Sequence, residues 1–344
     1  MSPIFIVGAN RSGTTLLRLI LNAHSRIAIP DELGYFDFNF SRRSFRPWHS
    51  PTVPPEQYEE FVIRFLDRNE AALAPLSIDR VKDDILSSPR LDLRAPYTRA
   101  LQSWASHHGK SRWGEKTPGN LFYVDLIYDM FPEARFIYLV RDPRAGVHSM
   151  NRSILFSDDT VLNALNRRKY MQDGLGLLQA IVPADQRTVL KYEDLVADPE
   201  ATVKDLCTFI GEKFEPQMLN FHQDAEQYMK PRAVKAFNRT ATQPILKSKI
   251  NAWCQDLSAD DVAMVEWICA ASMRKHDYVP TGVTPSILAR CVAFSKRLYW
   301  QYQCRSHANS PGYVQQAPVL ARFRNRAKDY LNDFLVRGAT DPPT

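Results

Sequence analysis

Arg11, Ser12, Thr14 and Thr15 lie in and just after a short loop bounded by Gly8 and Gly13, within the run Ile4 to Arg18. The run reads as an apolar strand, a loop and a helix, a layout in which backbone N–H groups and a helix N-terminus cradle a phosphate. The glycine spacing is that of a nucleotide-binding phosphate loop. The slot after Gly13, where that loop carries the lysine that reaches the β- and γ-phosphates, holds Thr14 instead. Arg11 supplies a cation within the loop, so the pocket suits an anionic group but is poorly equipped for ATP or GTP hydrolysis. We expect phosphate binding without triphosphate cleavage.

A second anion site is suggested by Phe136 to Ser149, where a buried-type strand ends at Arg141 and Pro143 suits the first turn of the next helix. Arg141 and Ser149 near a strand's C-terminal end can hold an anion. An Arg–Asp surface pair with a helix cap is the other reading of the same residues. The five cysteines, Cys207, Cys254, Cys269, Cys291 and Cys304, are odd in number and lack metal-ligand spacing. Reduced structural thiols, with neither zinc nor a disulfide framework, are expected.

The elements that must position these residues alternate. Strands are expected at Ile4–Val7, Arg135–Val140 and Thr188–Leu190, and helices at Thr14–Ala23, Ala145–Ile154 and Pro199–Ile210. Such alternation predicts an α/β fold: a P-loop-like parallel sheet flanked by helices. Between the first helix and Trp113 lie a proline-rich loop at residues 46–55 and helical patterning from Glu56 to His107, which together read as a helical cap over the sheet at 33–110. His107 and His108 read as a helix end. Pro280 and Pro285 bracket a linker, giving a body at 1–280 and a basic helical C-terminal extension at 281–344.

A chain of 344 residues with 44% hydrophobic content can bury a large core. With the first strand starting just after Pro3 and no apolar run long enough to span a bilayer, a soluble, cytoplasmic protein is expected. The net charge of +6 sits entirely in residues 281–344, where nine Lys/Arg face three Asp. The body is therefore neutral, which argues against a nucleic-acid partner. Read as a helix, Ser286–Tyr302 puts Ile287, Leu288, Cys291, Val292, Leu298, Tyr299 and Tyr302 on one arc with Arg290 and Arg297 opposite. Docking on the chain's own domain and peripheral contact with a membrane through the basic tail are both compatible with that pattern. Nothing in the sequence sets the oligomeric state.

The two anion motifs, in this order, resemble those of the sulfotransferases that use 3′-phosphoadenosine 5′-phosphosulfate (PAPS), over roughly residues 3–280. The resemblance implies that Arg11, Ser12, Gly13, Thr14 and Thr15 hold the 5′-phosphosulfate. Arg141 and Ser149 then hold the 3′-phosphate. Tyr192-Glu193-Asp194-Leu195, followed by Asp198-Pro199-Glu200, is similar to a family segment whose tyrosine lies near the adenine. The likeness is strongest to the tyrosylprotein-type and related bacterial enzymes. In these, a His-Pro-x-x-x-x-x-Glu-Glu run follows the first helix; here it is His24 to Glu32, with Ser25 and Asp31 departing from the pattern.

The second acid of that run is the family's general base, which maps onto Glu32. A solvated loop carboxylate is the other reading, with Asp31 a competitor for the role. Trp113-Gly114-Glu115-Lys116-Thr117-Pro118 resembles the segment whose lysine faces the reacting sulfonate. Lys116, with Arg11, would then stabilise charge on the sulfonate and the departing oxygen. A surface lysine ahead of a helix capped by Thr117 is the alternative, and Glu115 is expected to orient Lys116. The family's second 3′-phosphate arginine falls one residue beyond Arg152, at Ser153, and the late basic loop fits either Lys247 or Lys249.

The resemblance therefore implies transfer of a sulfuryl group from PAPS to an acceptor hydroxyl, releasing adenosine 3′,5′-bisphosphate (PAP) without a metal. The acceptor is expected to be a carbohydrate, glycolipid or small molecule, with protein tyrosine as the alternative. A P-loop nucleotide kinase and a non-catalytic nucleotide-binding adaptor are the rival functions. Thr14 in the lysine slot disfavours the first, and Glu32 with Lys116 the second.

Overall fold

Ile4–Gly8 forms strand β1, buried throughout and central in a five-stranded parallel sheet, in a computed structural model that describes residues 2–36, 55–87, 92–153, 155–229 and 241–306. An uninterrupted apolar strand is what helices on both faces require. Helix α1 (Thr14–Asn22) and the short strand β2 (Ile27–Ala28) follow. Helices α2 (Pro55–Leu73), α3 (Ile78–Leu86) and α4 (Arg94–His107) precede β3 (Arg112–Lys116). Helix α5 (Val124–Met130) leads to β4 (Arg135–Val140), then α6 (Pro143–Asn151) and α7 (Thr160–Lys169). Helix α8 (Leu175–Ile181) leads to β5 (Arg187–Lys191), α9 (Tyr192–Ala197) and α10 (Pro199–Ile210). Helices α11 (Ala259–Lys275) and α12 (Ile287–Ser306) complete the described chain.

Two compact units result. The described residues of 2–36, 55–141 and 173–251 form the first, with the whole sheet; those of 142–172 and 252–306 form the second, which is helical. In the first unit the strand order is β2-β3-β1-β4-β5. One sheet face, carrying Ile4, Ile6, Ile137 and Leu139, packs with Leu17 and Ile20 of α1 and Val203 and Leu206 of α10. The other face is aromatic: Phe5 stacks on Phe136 with ring centroids 5.4 Å apart, and Trp113 stands edge-on to Tyr97 of α4 at 6.0 Å.

Strand β4 and helix α10 lie where the sequence places them. Helix α6 starts at Pro143, two residues before the expected Ala145, because the Asp142 side chain accepts from the Arg144 N–H at 2.8 Å and Pro143 fits the first helical position. Asp142 pairs with buried Arg144 at 2.6 Å and is itself buried, so the surface-pair reading gives way to an internal one. Strand β3 has no counterpart in the expected pattern. It carries Arg112, Glu115 and Lys116, yet all five of its positions are buried. Tertiary partners make this tolerable: Arg112 alone donates to Ser2 O, Ile210 O and Glu212.

In the second unit α12 docks through its small and basic side. Ala293 is buried in a cluster with Val161 and Leu165 of α7 and Met264, Val265 and Ile268 of α11. On the same side Lys296 pairs with Asp159 at 2.5 Å, and Arg290 lies 5.9 Å from the Trp267 ring. The apolar arc faces solvent, with Ile287 at 79% and Leu288 at 75% exposure and Phe294 and Tyr299 also exposed. A small alanine face approaches its neighbours more closely than the bulky arc can. Residues 307–344 of the basic extension lie outside the described residues.

Cys207 and Cys269 are buried free thiols, and Cys254 and Cys291 are exposed ones. His107 ends α4 and His108 caps it, as expected. Among the described residues no group of three or more His, Cys, Asp or Glu could hold a metal ion, and no helix is long and apolar enough to cross a membrane.

Candidate active site

The loop between β1 and α1 is built from left-handed backbone. Arg11 has φ +63° and Gly13 φ +96°, and the Ser12 N–H donates to Ala9 O at 3.2 Å. Alternation of this kind turns successive N–H groups toward one concavity that receives anions. A Cβ at Gly8 would meet Leu139 O at 2.4 Å, so that position must be glycine for the loop to leave the strand beside β4. No side chain caps α1 and no acidic residue occupies its first turn, which leaves the positive end of its dipole facing the loop. Ser12 and Thr14 are buried there, and Thr15 is half-buried.

Arg141, at the end of β4, closes the other side. Its Nη1 donates to Arg11 O at 3.3 Å, its Nη2 to Lys249 O at 2.8 Å, and its guanidinium lies 4.0 Å from the centre of the Tyr192 ring. That ring also packs on the loop, where a Cβ at Gly13 would approach Tyr192 Cδ2 to 2.5 Å. Tyr192 is thus a brace beneath both Gly13 and Arg141. Burial, and then the neighbouring Arg141, hold the Arg11 guanidinium below its ordinary pKa, partly offset by Glu32. Two guanidinium groups held this close create a field suited to a multiply charged anion. Lys247 and Lys249 both have exposed side chains on one 3-10 turn, and it is the Lys249 carbonyl that Arg141 grips.

Glu32 and Lys116 meet: Nζ donates to Oε1 at 2.5 Å. Lys116 is 2% exposed and Glu32 44%, so a caged lysine holds a carboxylate that still reaches solvent. The register of β3 on β1 sets Lys116 beside Ile6, two residues before Gly8, at the C-terminal edge of the sheet where such folds bind ligands. The surface-lysine reading of Lys116 is thereby excluded.

The segment carrying Glu32 is fixed by polar side chains of α1. Asn22 donates to Ile29 O at 2.9 Å and accepts from Ile29 N–H at 2.7 Å, and Arg18 Nη1 adds a bond to Ile29 O at 3.3 Å. Asp31 accepts from the Glu32 N–H at 3.0 Å and lies 3.9 Å from Arg18, contacts that shape the turn carrying Glu32. Ser25, where the family pattern has proline, donates its N–H to Glu215 at 2.7 Å.

Glu115 points to the opposite face of β3 from Lys116 and does not hydrogen-bond it, which corrects the expected orienting contact. Its carboxylate instead accepts from Thr117 Oγ1 and Asn120 Nδ2. Burial pushes its pKa up to about 7, with the Glu32 charge adding to the rise.

Arg11, Ser12, Gly13, Thr14, Thr15, Glu32, Lys116, Arg141, Tyr192 and Lys247 all belong to the first unit, whereas Ser149 and Arg152 belong to the second. There Ser149 lies on α6, and Arg152, just past the helix end, pairs with Asp256 at 2.9 Å beside His148. Sequence reasoning missed Arg18 and Asn22. The signal was present: two polar residues four apart on a helix whose other inner positions are leucine and isoleucine must find partners inside.

A parallel sheet thus carries a phosphate-type loop at its C-terminal edge, with a carboxylate–lysine pair and adjacent arginines. A family model described as the sulfotransferase family matches residues 3–216, and the chain belongs to that family. It is 24% identical over 274 residues to the protein-tyrosine sulfotransferase of Drosophila melanogaster, covering 76% of this chain and 49% of that protein. It is 24% identical over 280 residues to the omega-hydroxy-beta-dihydromenaquinone-9 sulfotransferase Stf3 of Mycobacterium tuberculosis, covering 66% and 68%. The chain spans less than half the length of the first curated relatives it matches. The sulfotransferase domain from the curacin biosynthetic pathway shares the fold, with a TM-score of 0.58 at 21% identity over 81% of this chain and 98% of that one.

Proposed function

We propose that this protein transfers a sulfuryl group from PAPS to a hydroxyl acceptor and releases PAP. The observation that carries the reading is the Glu32–Lys116 pair, in which a buried lysine at the sheet edge holds a carboxylate still open to solvent. The donor set fits PAPS: Arg11 and the α1 N-terminus suit a phosphosulfate, and Arg141, braced by Tyr192, suits a further phosphate.

PAPS supplies a sulfuryl group joined to its 5′-phosphate through an S–O bond. Glu32 takes the acceptor's hydroxyl proton as the acceptor oxygen bonds to sulfur, the contribution of a positioned general base. The bond from sulfur to the phosphate oxygen breaks, and its electron pair stays on that oxygen. A sulfate ester and PAP result, and Glu32 returns its proton to water. Lys116 and Arg11 stabilise the charge that gathers on the sulfonate and leaving oxygens.

We place the acceptor among carbohydrate, glycolipid or other small-molecule hydroxyls, with protein tyrosine as the alternative. The relatives named above include both a tyrosine and a lipid-quinone enzyme. Peripheral contact with a lipid surface would run through the exposed arc of α12. Calorimetric titration with PAP and with ATP, followed by sulfuryl transfer from PAPS to p-nitrophenol, a hexose, a long-chain alcohol and a tyrosine peptide, tests the reading. PAP should bind well ahead of ATP, and one acceptor should be sulfated. Equal binding of ATP with phosphoryl transfer would instead indicate a kinase, and PAP binding without any turnover an adaptor.

A further inference from the structure

Arg18 is fully buried on the inner face of α1, where its neighbours along the helix are leucine and isoleucine. Its guanidinium hydrogen-bonds through Nη1 alone, to Ile29 O at 3.3 Å and to Tyr228 O at 2.8 Å; Nε and Nη2 make no hydrogen bond among the described residues. A buried cation bonded so thinly is costly, and an apolar side chain would fill the place more cheaply. What the cation faces is the segment that carries the base. Nη2 lies 3.9 Å from Asp31 Oδ1, and that same oxygen accepts the Glu32 N–H at 3.0 Å. One carboxylate oxygen thus stands between the guanidinium and the Glu32 peptide.

Tyr228 is the fixed end of the arrangement. Its ring lies 5.2 Å from that of His108 and 6.1 Å from that of buried Trp104, at the end of α4, and Lys110 Nζ stands 4.7 Å from its centre. Burial holds the Arg18 guanidinium below its ordinary pKa, and the charges of Asp31 and then Glu32 offset that.

We propose that Arg18 is a positioning residue for sulfuryl transfer, its guanidinium tying the Glu32 segment, through Ile29 O and Asp31, to the Tyr228 carbonyl so that the Glu32 carboxylate is held at Lys116 and aimed at the acceptor. The inference rests on the assignment of Glu32 as base, and Arg18 acts through that residue, touching neither donor nor acceptor. Asn22 secures the Ile29 peptide, three residues upstream, whereas Asp31 reaches the Glu32 peptide itself. Misplacement of a reacting group by about 1 Å can cost on the order of a hundredfold in rate.

Arg18→Met keeps an unbranched stem without the guanidinium, and Asp31→Ala removes the intervening oxygen. Each should lose roughly 10- to 100-fold in kcat, read as PAP release from PAPS with the best acceptor of the panel, while PAP affinity stays within about twofold of wild type. PAP affinity is a demanding control, because α1 also carries the phosphate loop at its N-terminus. Asp31 is partly exposed, so Asp31→Ala decides the matter should Arg18→Met fail to fold.

In a Glu32→Gln background each substitution should add less than about twofold, because there is no longer a base to misplace. A loss of folded protein would instead lower turnover equally in both backgrounds. Wild-type kcat in either variant, a rate loss matched by a loss of PAP affinity, or full additivity with Glu32→Gln would each overturn the inference. Wild-type turnover in Glu32→Gln alone would remove the base assignment itself. A slow Glu32→Gln beside fast Arg18→Met and Asp31→Ala would remove only the positioning role.

Discussion

Lys116 and Glu32 form an ion pair at 2.5 Å that is lopsided in burial, the lysine at 2% exposure and the carboxylate at 44%. The lysine has nowhere else to go. In the proposed reaction the carboxylate would turn toward an incoming hydroxyl while Lys116 is drawn to the sulfonate.

Glu32→Gln keeps an oxygen for Lys116 to bond but removes the proton acceptor. Turnover should fall by roughly two or more orders of magnitude while PAP affinity, measured by calorimetry, stays within about twofold. Wild-type turnover would take Glu32 out of the chemistry.

Arg141→Ala should weaken PAP binding, and adenosine 5′-phosphosulfate, which lacks the 3′-phosphate, should bind the native protein poorly. Tyr192→Ala should weaken PAP by roughly 3- to 30-fold through loss of the cation–π platform under Arg141. Tyr192→Phe, which keeps the ring, should not. Equal affinity of native protein for the two nucleotides would place the 3′-phosphate elsewhere.

Gly13→Ala asks the loop to hold a side chain at φ +96° against the Tyr192 ring. A cost of about 1–3 kcal/mol is expected for a strained position of this kind, seen as a lowered denaturation midpoint together with weaker PAP binding. Unchanged stability and affinity would show the ring to be displaceable.

Glu115 makes stability pH-dependent in a definite direction. Its folded pKa of about 7 lies above the unfolded value near 4.5, so the fold favours the protonated form. This contribution therefore falls as pH rises from about 4.5 to 7 and is then level, a loss of about 3 kcal/mol in all. Denaturant titrations at pH 5 and pH 8 should show Glu115→Gln gaining on wild type at the higher pH. A constant difference would mean that the carboxyl ionises as it does in water.

Leu288→Asp with Leu298→Asp on α12 should leave PAP binding and melting temperature unchanged, because both side chains face solvent. The same pair should abolish any association with phosphatidylcholine vesicles, and moderate salt should not, since Lys296 already pairs with Asp159. Deleting residues 281–344 is a poorer probe than the sequence alone suggests, because Ala293 belongs to a buried cluster.

Much of this site follows from local sequence. The loop from Gly8 to Thr15 is set by two glycines and an apolar strand, and β4 and α10 by an apolar run and a proline at the first helical position. These signals are contained within a few consecutive residues, so no distant partner is needed to read them. Glu32 and Lys116 could be assigned only by likeness, since 84 residues separate two charged side chains that each resemble ordinary surface groups.

Only the tertiary structure decided β3, where arginine and lysine are buried because Ile210, Glu212 and Glu32 come from elsewhere to satisfy them. The same holds for Asp31, whose contacts with Arg18 and the Glu32 N–H only the fold brings about. It holds again for α12, whose periodicity marks two faces without saying which one docks. That choice depended on the shape of α7 and α11, which accept a small alanine face closely enough for Lys296 to reach Asp159. Local propensity is a property of neighbours in the chain; the burial of a charge is a property of neighbours in space.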